Sequence, residues 1–167
     1  MDPAVLHSQL ESCHGQSYRW ALHCCEGDRT EAEDALQTAY LKVLDGRARF
    51  DGRSAFSTWL FAVIWRTAAD ERRRRMVRFS RSVPLPDDLP AAASSTPAEA
   101  NSALLRALAT LPRRQREVLL LVFYHERTVE EAAAVLNIGI GSARTHYARG
   151  KQRLRELLED SEVRHDR

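Results

Sequence analysis

The spacing of apolar residues is the feature that most constrains the fold of this 167-residue chain. Between residues 35 and 43 they stand at i, i+1, i+4, i+5 and i+8, and similar stripes occupy residues 56–64 and 103–111. This is the period of one face of an α-helix, and no segment alternates convincingly in the manner of a half-buried strand. The sequence therefore predicts an all-α protein.

Three Thr-x-x-Glu motifs, beginning at Thr30, Thr96 and Thr128, mark expected helix starts. In such a capping box the two side chains bond backbone N–H groups that the first helical turn leaves without partners. Between the Arg-rich residues 66–81 and the helix start at Thr96 lies the segment SVPLPDDLPAAASST (residues 82–96), whose prolines and small residues indicate a linker. We therefore predict two small helical domains, residues 1–80 and 97–160, joined by a flexible linker at 81–96 and followed by a polar tail at 161–167.

Composition excludes several classes of protein. The amino-terminal residues lack the basic start and apolar core of a signal peptide, and no apolar run approaches the roughly 20 residues of a membrane span. Three cysteines without framework spacing suit a reducing compartment. We expect a cytoplasmic protein with no membrane insertion.

Positive charge is concentrated although the net charge is only +2. Residues 66–81 carry seven Arg against two acids, and residues 142–155 carry five Lys or Arg and no acid. Such patches indicate a polyanionic partner, with solvated helix faces as the alternative.

Residues 128–154, TVEEAAAVLNIGIGSARTHYARGKQRL, match a helix-turn-helix. A short apolar-faced helix ends near Asn137, a residue that tolerates the left-handed backbone that the turn needs. Gly139 is an acceptable N-cap for the second helix. In that helix Ala143, Tyr147, Gly150 and Leu154 are expected to face inward.

The outward face of the second helix is a candidate DNA surface, because the major groove admits a helix. Ser142, Arg144, Thr145 and His146 lie in its first turns, where base contacts are usual. Arg149, Lys151 and Arg153 are better placed for phosphates, which position a protein without specifying sequence. A merely solvated basic face is the alternative for any one of these residues.

Residues 107–154 resemble region four of bacterial RNA polymerase sigma factors. The matching motifs are LP-x-x-x-R-E-V at residues 111–118 and G-S-x-R-T at residues 141–145. Ala133 and Ala143 replace bulkier family residues, and Asn137 replaces Gly. The resemblance implies binding to the −35 promoter element and to the β flap of core polymerase. Response-regulator and quorum-sensor domains carry a similar helix-turn-helix, so this segment alone leaves them as alternatives.

Residues 30–43, TEAEDALQTAYLKV, are similar to the region-two helix of the same family. In relatives this helix docks on the β′ clamp helices of core polymerase. The resemblance, together with the i, i+3 spacing of two polar side chains, implies the following core polymerase contacts: Asp34, Leu36, Gln37 and Leu41. Core packing is the alternative interpretation of Leu36. We expect Tyr40 to lie in the core.

Residues 50–75 resemble the family block that opens the −10 element and holds a flipped base. Aromatic rings can stack on bases and Arg can contact phosphates of single-stranded DNA. The implied −10 contacts are Phe50, Arg53, Phe56, Arg66, Thr67, Arg72, Arg73 and Arg74. Trp59 is expected in the core. Trp65 and Thr67 stand where the family more often has Ala and Asn.

The two blocks, in this order around a short linker and without region three, are typical of the extracytoplasmic-function group. The resemblance implies a sigma factor that binds core RNA polymerase and promoter DNA, and members of this group are commonly held by an anti-sigma factor. Two alternatives stay open. One is a helix-turn-helix regulator that binds duplex DNA independently of polymerase, and the other is an interaction protein that sequesters a regulator.

A cluster of thiols and imidazoles, Cys13, His14, His23, Cys24 and Cys25, raises the question of a zinc or redox site. On one helix Cys13 and Cys24 would lie about 16 Å apart at ~1.5 Å per residue, too far for one zinc with bonds of about 2.0–2.3 Å. We expect core packing here, with a thiol sensor as the alternative. No arrangement of nucleophile and base, phosphate loop or paired acids stands out. We therefore expect a non-enzyme with no metal and no cofactor.

Overall fold

A computed structural model describes the backbone of residues 2–80 and 99–165 and the side chains of residues 2–77 and 104–159. Within those ranges the chain is helical and contains no strand, as the apolar spacing predicts. The chain divides into two compact units, Met1–Ala93 and Ser94–Arg167. Residues 81–98 lie outside the described part, so the linker and the domain boundaries drawn from sequence stay predictions.

The first unit is a bundle of three helices, each of which packs on the other two. These are α1 (Pro3–Cys24), α2 (Arg29–Leu44) and α3 (Phe56–Ser80). At its centre the fully buried Trp20 ring stacks on Phe61 with 5.8 Å between centroids. The indole Nε1 donates to the Phe61 carbonyl oxygen at 3.1 Å, so the polar atom of this large apolar side chain is satisfied.

The start of α2 differs from the sequence prediction, which placed the cap at Thr30. The helix begins at Arg29, and the Asp28 carboxylate accepts from the Glu31 backbone N–H at 3.0 Å. Asp is as good an N-cap as Thr, and Asp28 stands directly after a turn at Gly27 whose φ is 92°. The prediction for Thr30 is therefore wrong by two residues. The predicted cap at Thr96 lies outside the described residues.

The second unit contains α4 (Glu99–Thr110), α5 (Arg113–Leu119), a π-helical turn (Leu120–Tyr124), α6 (Val129–Leu136) and α7 (Ile140–His165). The long α7 packs against α4, α5 and α6. Its Gly150 allows α5 to come close, because a Cβ there would lie 3.1 Å from both Gln115 Cβ and Leu119 Cδ1. Buried side chains of α5, the π turn and α6 complete the core: Val118, Leu119, Leu121, Val135 and Leu136.

The turn between α6 and α7 has the geometry of a helix-turn-helix. Thr128 and Glu131 form the predicted capping box, with bonds of 2.9 and 3.1 Å. Asn137 adopts the predicted left-handed backbone at φ 51° and ψ 49°. The Gly139 carbonyl then accepts from the Ala143 N–H at 3.0 Å, which starts α7. The left-handed residue thus sets the angle at which α7 leaves α6.

Candidate nucleic-acid and polymerase interfaces

The face of α7 that points away from the core carries the predicted DNA contacts. Ala143 and Gly150 are buried against the other helices, so residues between them on the opposite side are turned outward. Six of the seven predicted contacts are exposed, namely Ser142, Arg144, Thr145, Arg149, Lys151 and Arg153, and His146 is half-buried. The result is a polar, basic helix face on a rigid three-helix support.

An ion pair joins this face to α6. Arg144 Nη2 lies 2.9 Å from Glu130 Oε1, and the two side chains are 68% and 51% exposed. The hydrogen bond from Arg144 lowers the pKa of the Glu130 carboxyl, and a bond from the Glu130 backbone N–H adds to that effect. The Glu130 carboxyl therefore loses its charge at a lower pH than an ordinary glutamate does, because its pKa is lowered.

Other polar groups on α7 have local partners. The Thr145 hydroxyl donates to the Gly141 carbonyl at 2.9 Å, and Arg153 Nη1 lies 3.2 Å from Glu156 Oε2. Lys151 Nζ lies 6.0 Å from the centroid of the Tyr147 ring, which itself stacks on Phe123 at 5.9 Å. These are exposed, weak contacts that a phosphate or base can replace.

On α2 the predicted polymerase contacts separate into exposed and buried residues. Asp34, Gln37 and Leu41 are exposed, and Leu41 is 48% exposed despite being apolar. Leu44, which sequence analysis did not select, is 52% exposed and continues the same stripe at i+3. Leu36 is only 4% exposed, so in this structure it lies in the core, which was the alternative for this residue, and its contact with polymerase stays a prediction. Its side chain faces α1 and α3 because it lies on the apolar stripe of the helix.

Two predicted −10 contacts are buried as well. Phe56 is 9% exposed and lies edge-on to Phe50 at 5.5 Å, with Trp59 at 5.4 Å, so its ring belongs to an aromatic cluster at the start of α3. Thr67 is 1% exposed and its hydroxyl accepts from Lys42 Nζ at 2.9 Å. In this structure neither side chain offers a surface to DNA, and both −10 contacts stay predictions. Phe50 and Trp59 are half-buried at the edge of the cluster. Trp59 is therefore less buried than we expect of a core residue.

The arginines of α3 face different partners. Arg66 and Arg73 are exposed, as is Arg53 in the preceding loop. Arg72 is half-buried and donates to the Cys24 carbonyl at 3.5 Å, which connects α3 to α1, and its contact with DNA stays a prediction. Arg74 is exposed and, with Arg75, lines a groove against α2 whose other walls are Glu31, Asp34, Gln37, Thr38 and Glu71. Arg75 forms an ion pair with Glu31 there.

The thiol cluster does not form a ligand set. Cys24 is buried, and burial raises the pKa of the neighbouring Cys25 thiol to about 11, with the Glu71 carboxylate adding to the shift. Among the residues that the structure describes, no three His, Cys, Asp or Glu side chains are grouped as metal ligands would be. In the same part of the chain, none of the helices has the length and apolarity that crossing a membrane requires.

Two family profiles match the chain in the order of the two units. The family described as Sigma-70 region 2 matches residues 10–77, and Sigma-70, region 4 matches residues 101–154. The first match contains α2 and most of α3, and the second contains the helix-turn-helix.

Individual relatives agree with the profiles. The ECF RNA polymerase sigma factor SigM of Mycobacterium tuberculosis is 31% identical over 128 residues, which are 77% of this chain and 64% of SigM. The RNA polymerase sigma factor CarQ of Myxococcus xanthus is 32% identical over 136 residues, which are 79% of this chain and 77% of CarQ. The chain therefore spans about two thirds to three quarters of the length of these relatives.

A solved structure has a similar fold. It is the sigma factor RpoE of Bartonella quintana in complex with its anti-sigma factor NepR, and the sigma chain superposes with a TM-score of 0.70 at 25% identity. The superposition covers 92% of this chain and 96% of that one. With two profile matches and a relative above 30% identity that is mostly covered, the chain belongs to the extracytoplasmic-function family of RNA polymerase sigma factors.

Proposed function

We propose that this chain binds core RNA polymerase and directs it to promoters that carry −35 and −10 elements. The observation that carries the proposal is the exposed basic face of α7, set on a helix-turn-helix in a member of the sigma family. The chain would act on polymerase in the cytoplasm, and the proposal assigns it no catalytic step.

Recognition of the −35 element is assigned to α7. A major groove is about 12 Å wide and admits one helix, whose amino-terminal residues meet base edges. Arg144 is the exposed side chain in that position with the geometry to contact a guanine through two N–H groups. Arg149, Lys151 and Arg153 follow along the helix and would contact phosphates.

Docking on polymerase is assigned to α2. Asp34, Gln37, Leu41 and Leu44 stand at i, i+3, i+7 and i+10, which places them on one exposed face. Two exposed leucines beside polar groups form the kind of surface that a partner helix covers, and the β′ clamp helices are the proposed partner. Because Arg74 lines a groove with Asp34 and Gln37, we assign it to this docking surface rather than to the −10 element. The β flap is proposed to bind the second unit.

Contacts to the −10 element are assigned to the arginines that remain exposed, Arg53, Arg66 and Arg73. They would contact phosphates of the separated strand, and Phe50 is a half-buried aromatic side chain at the edge of its cluster. An anti-sigma factor is a further proposed partner, because the similar RpoE was crystallised with one.

The main alternative is a regulator that binds duplex DNA without polymerase. The experiment that separates the two uses tagged chain, sheared genomic DNA and bacterial core polymerase, and sequences the DNA fragments that the tag recovers. We expect the chain to retain core polymerase and to enrich a fragment set with shared −35 and −10 elements only when core is present. Enrichment of the same fragments by the chain alone would instead establish the regulator.

A further inference from the structure

The ion pair between Glu130 and Arg144 joins two different helices of the helix-turn-helix. Glu130 is in the first turn of α6 and Arg144 is in the first turns of α7, fourteen residues later. The 2.9 Å contact therefore depends on the angle between the helices and not on neighbouring positions in one helix. Both side chains are exposed, so a ligand that contacts Arg144 also lies near the Glu130 carboxylate.

The contact restricts Arg144 without using up its donors. A guanidinium has five N–H groups in a rigid fork, and Glu130 accepts at Nη2. N–H groups of the fork remain for a base edge. An exposed arginine otherwise samples many rotamers, and ordering it on DNA opposes binding. Because the contact with Glu130 already restricts the Arg144 side chain, ordering that side chain on DNA costs less conformational entropy.

Helix capping does not explain the Glu130 side chain. The capping box of α6 is formed by Thr128 and Glu131, with bonds of 2.9 and 3.1 Å. An acid near a helix start is favourable for the helix dipole, but aspartate serves that purpose equally well. A carboxylate beside a DNA surface is also repelled by phosphates unless an arginine lies between them. Glu130 thus carries a cost in DNA binding that its role in the helix does not require.

We propose that Glu130 is a positioning residue for −35 recognition, which holds the Arg144 guanidinium in the orientation that contacts a guanine. The proposal rests on the proposed function, in which α7 contacts the −35 element. Glu130 acts through Arg144 and touches no base itself.

The test compares Glu130→Asp with Glu130→Gln in the full chain assembled with core polymerase. Aspartate keeps the charge and shortens the side chain by one methylene, so it withdraws the carboxylate from Arg144. Transcripts are counted from a promoter library randomised across the −35 element. A two-bond arginine–guanine contact discriminates by roughly 5- to 150-fold, and we expect Glu130→Asp to reduce discrimination at the one affected base about 3- to 10-fold.

Two controls separate positioning from general electrostatics. Glu156→Gln removes an exposed acid that also pairs with an arginine, Arg153 at 3.2 Å, and it should change DNA affinity evenly over all sequences. In an Arg144→Ala background, Glu130→Asp should produce no further loss of discrimination, because its effect passes through the missing side chain. Circular dichroism of each variant checks that the helices are intact.

A measurement on the free chain makes the proposal testable without polymerase. Nitrogen relaxation of the Arg144 side chain should show an ordered guanidinium in the wild type and a mobile one in Glu130→Asp. Equal mobility in the two proteins overturns the proposal. So does unchanged base preference in Glu130→Asp together with tighter binding of Glu130→Gln to every sequence, since Glu130 would then act only as a repulsive charge. A wild-type holoenzyme that starts at no promoter would instead refute the proposed function. The relaxation measurement would still show whether Glu130 orders the Arg144 side chain.

Discussion

Among individual residues, exposure separates the side chains that can meet a partner from those that hold the helices together. The sequence alone marks polar and aromatic residues near family motifs, and it does not say which side of a helix they occupy. Leu36 and Phe56 match the family pattern, Thr67 stands where the family more often has Asn, and all three are buried. Asp34 and Arg144 match it and are exposed.

Replacing Arg144 by Ala tests a base contact. We expect Arg144→Ala to lower −35-dependent initiation roughly 5- to 150-fold, corresponding to about 1–3 kcal/mol, and to leave core binding unchanged. Arg153→Ala is the matched control, because loss of a phosphate contact weakens binding evenly across sequences and reduces the salt slope by about 1. Initiation from the randomised −35 library measures both. An unchanged base preference in Arg144→Ala would show that another side chain makes the contact.

The thiol of Cys25 is expected to be unreactive. Burial raises its pKa from 9.0 to about 11, so its thiolate fraction at pH 8 is about 100-fold below that of an unperturbed thiol. Alkylation followed by peptide mass spectrometry should show slow labelling in the folded chain and fast labelling in urea. Because the pKa is raised, the thiol favours the folded state below pH 9 and that contribution is lost as the pH rises towards 11. Rapid labelling of folded Cys25 at pH 8 would revive the thiol-sensor alternative.

At the scale of elements, helical periodicity and caps predict most of the fold. Apolar stripes locate α2, α3 and α4, and the motif from Thr128 through Asn137 and Gly139 is confirmed. The apolar spacing does not predict the π-helical turn at Leu120–Tyr124, because residues 118–124 are all apolar and have no periodicity that an extra residue would interrupt. The predicted start of α2 is wrong because Thr30 and Glu33 have the spacing of a capping box, whereas Asp28, a better N-cap residue than Thr, caps the helix.

The turn of the helix-turn-helix depends on the backbone of Asn137. Its φ of 51° disfavours residues with an ordinary Cβ by about 1–2 kcal/mol, and Asn is one of the few that tolerate it. We therefore expect Asn137→Ala to lower the free energy of unfolding by about that amount and Asn137→Gly to leave it unchanged or raise it. Urea unfolding followed by circular dichroism measures the difference. Equal stability of the Ala and Gly variants would contradict a left-handed turn.

The close approach of α5 and α7 depends on Gly150. An alanine Cβ there would crowd Gln115 and Leu119 at 3.1 Å, so overpacking of about 1–3 kcal/mol opposes a helix-propensity gain of about 0.5–1 kcal/mol. We expect Gly150→Ala to lower thermal stability. Gly15→Ala is the control, because Gly15 is also within a helix and has no atom within 4 Å of an added Cβ, so it should raise stability by about 0.5–1 kcal/mol. Thermal melts that show both variants equally stabilised would refute the packing argument.

At the scale of the whole molecule, sequence predicts two functional units and leaves their surfaces incomplete. Proline content and apolar stripes predict a separation of residues 1–80 from 97–160, whereas contact surfaces depend on how three helices pack. Leu44 and the groove between α2 and α3 are properties of that packing. Leu44 lies near Leu41, and the groove is lined in part by Asp34. The family motif includes Leu41 and Asp34 but neither Leu44 nor the groove.

The polymerase surface can be tested apart from the DNA surface. We expect Asp34→Ala to weaken capture of core polymerase and to leave the unfolding curve unchanged, because the side chain is exposed. Glu11→Ala is the control, an exposed acid on α1 that lies outside the proposed docking face. Surface plasmon resonance with immobilised core measures both. Equal affinity of Asp34→Ala and wild type would place the docking surface elsewhere.

The central claim is that this chain gives core polymerase its choice of promoter. The most direct measurement is sequencing of transcript 5′ ends made in vitro from genomic DNA by core polymerase with and without the chain. We predict that new start sites arise only with the chain and share one −35 and one −10 element, and that Arg144→Ala changes the preferred −35 base. Identical start sites with and without the chain would contradict the account.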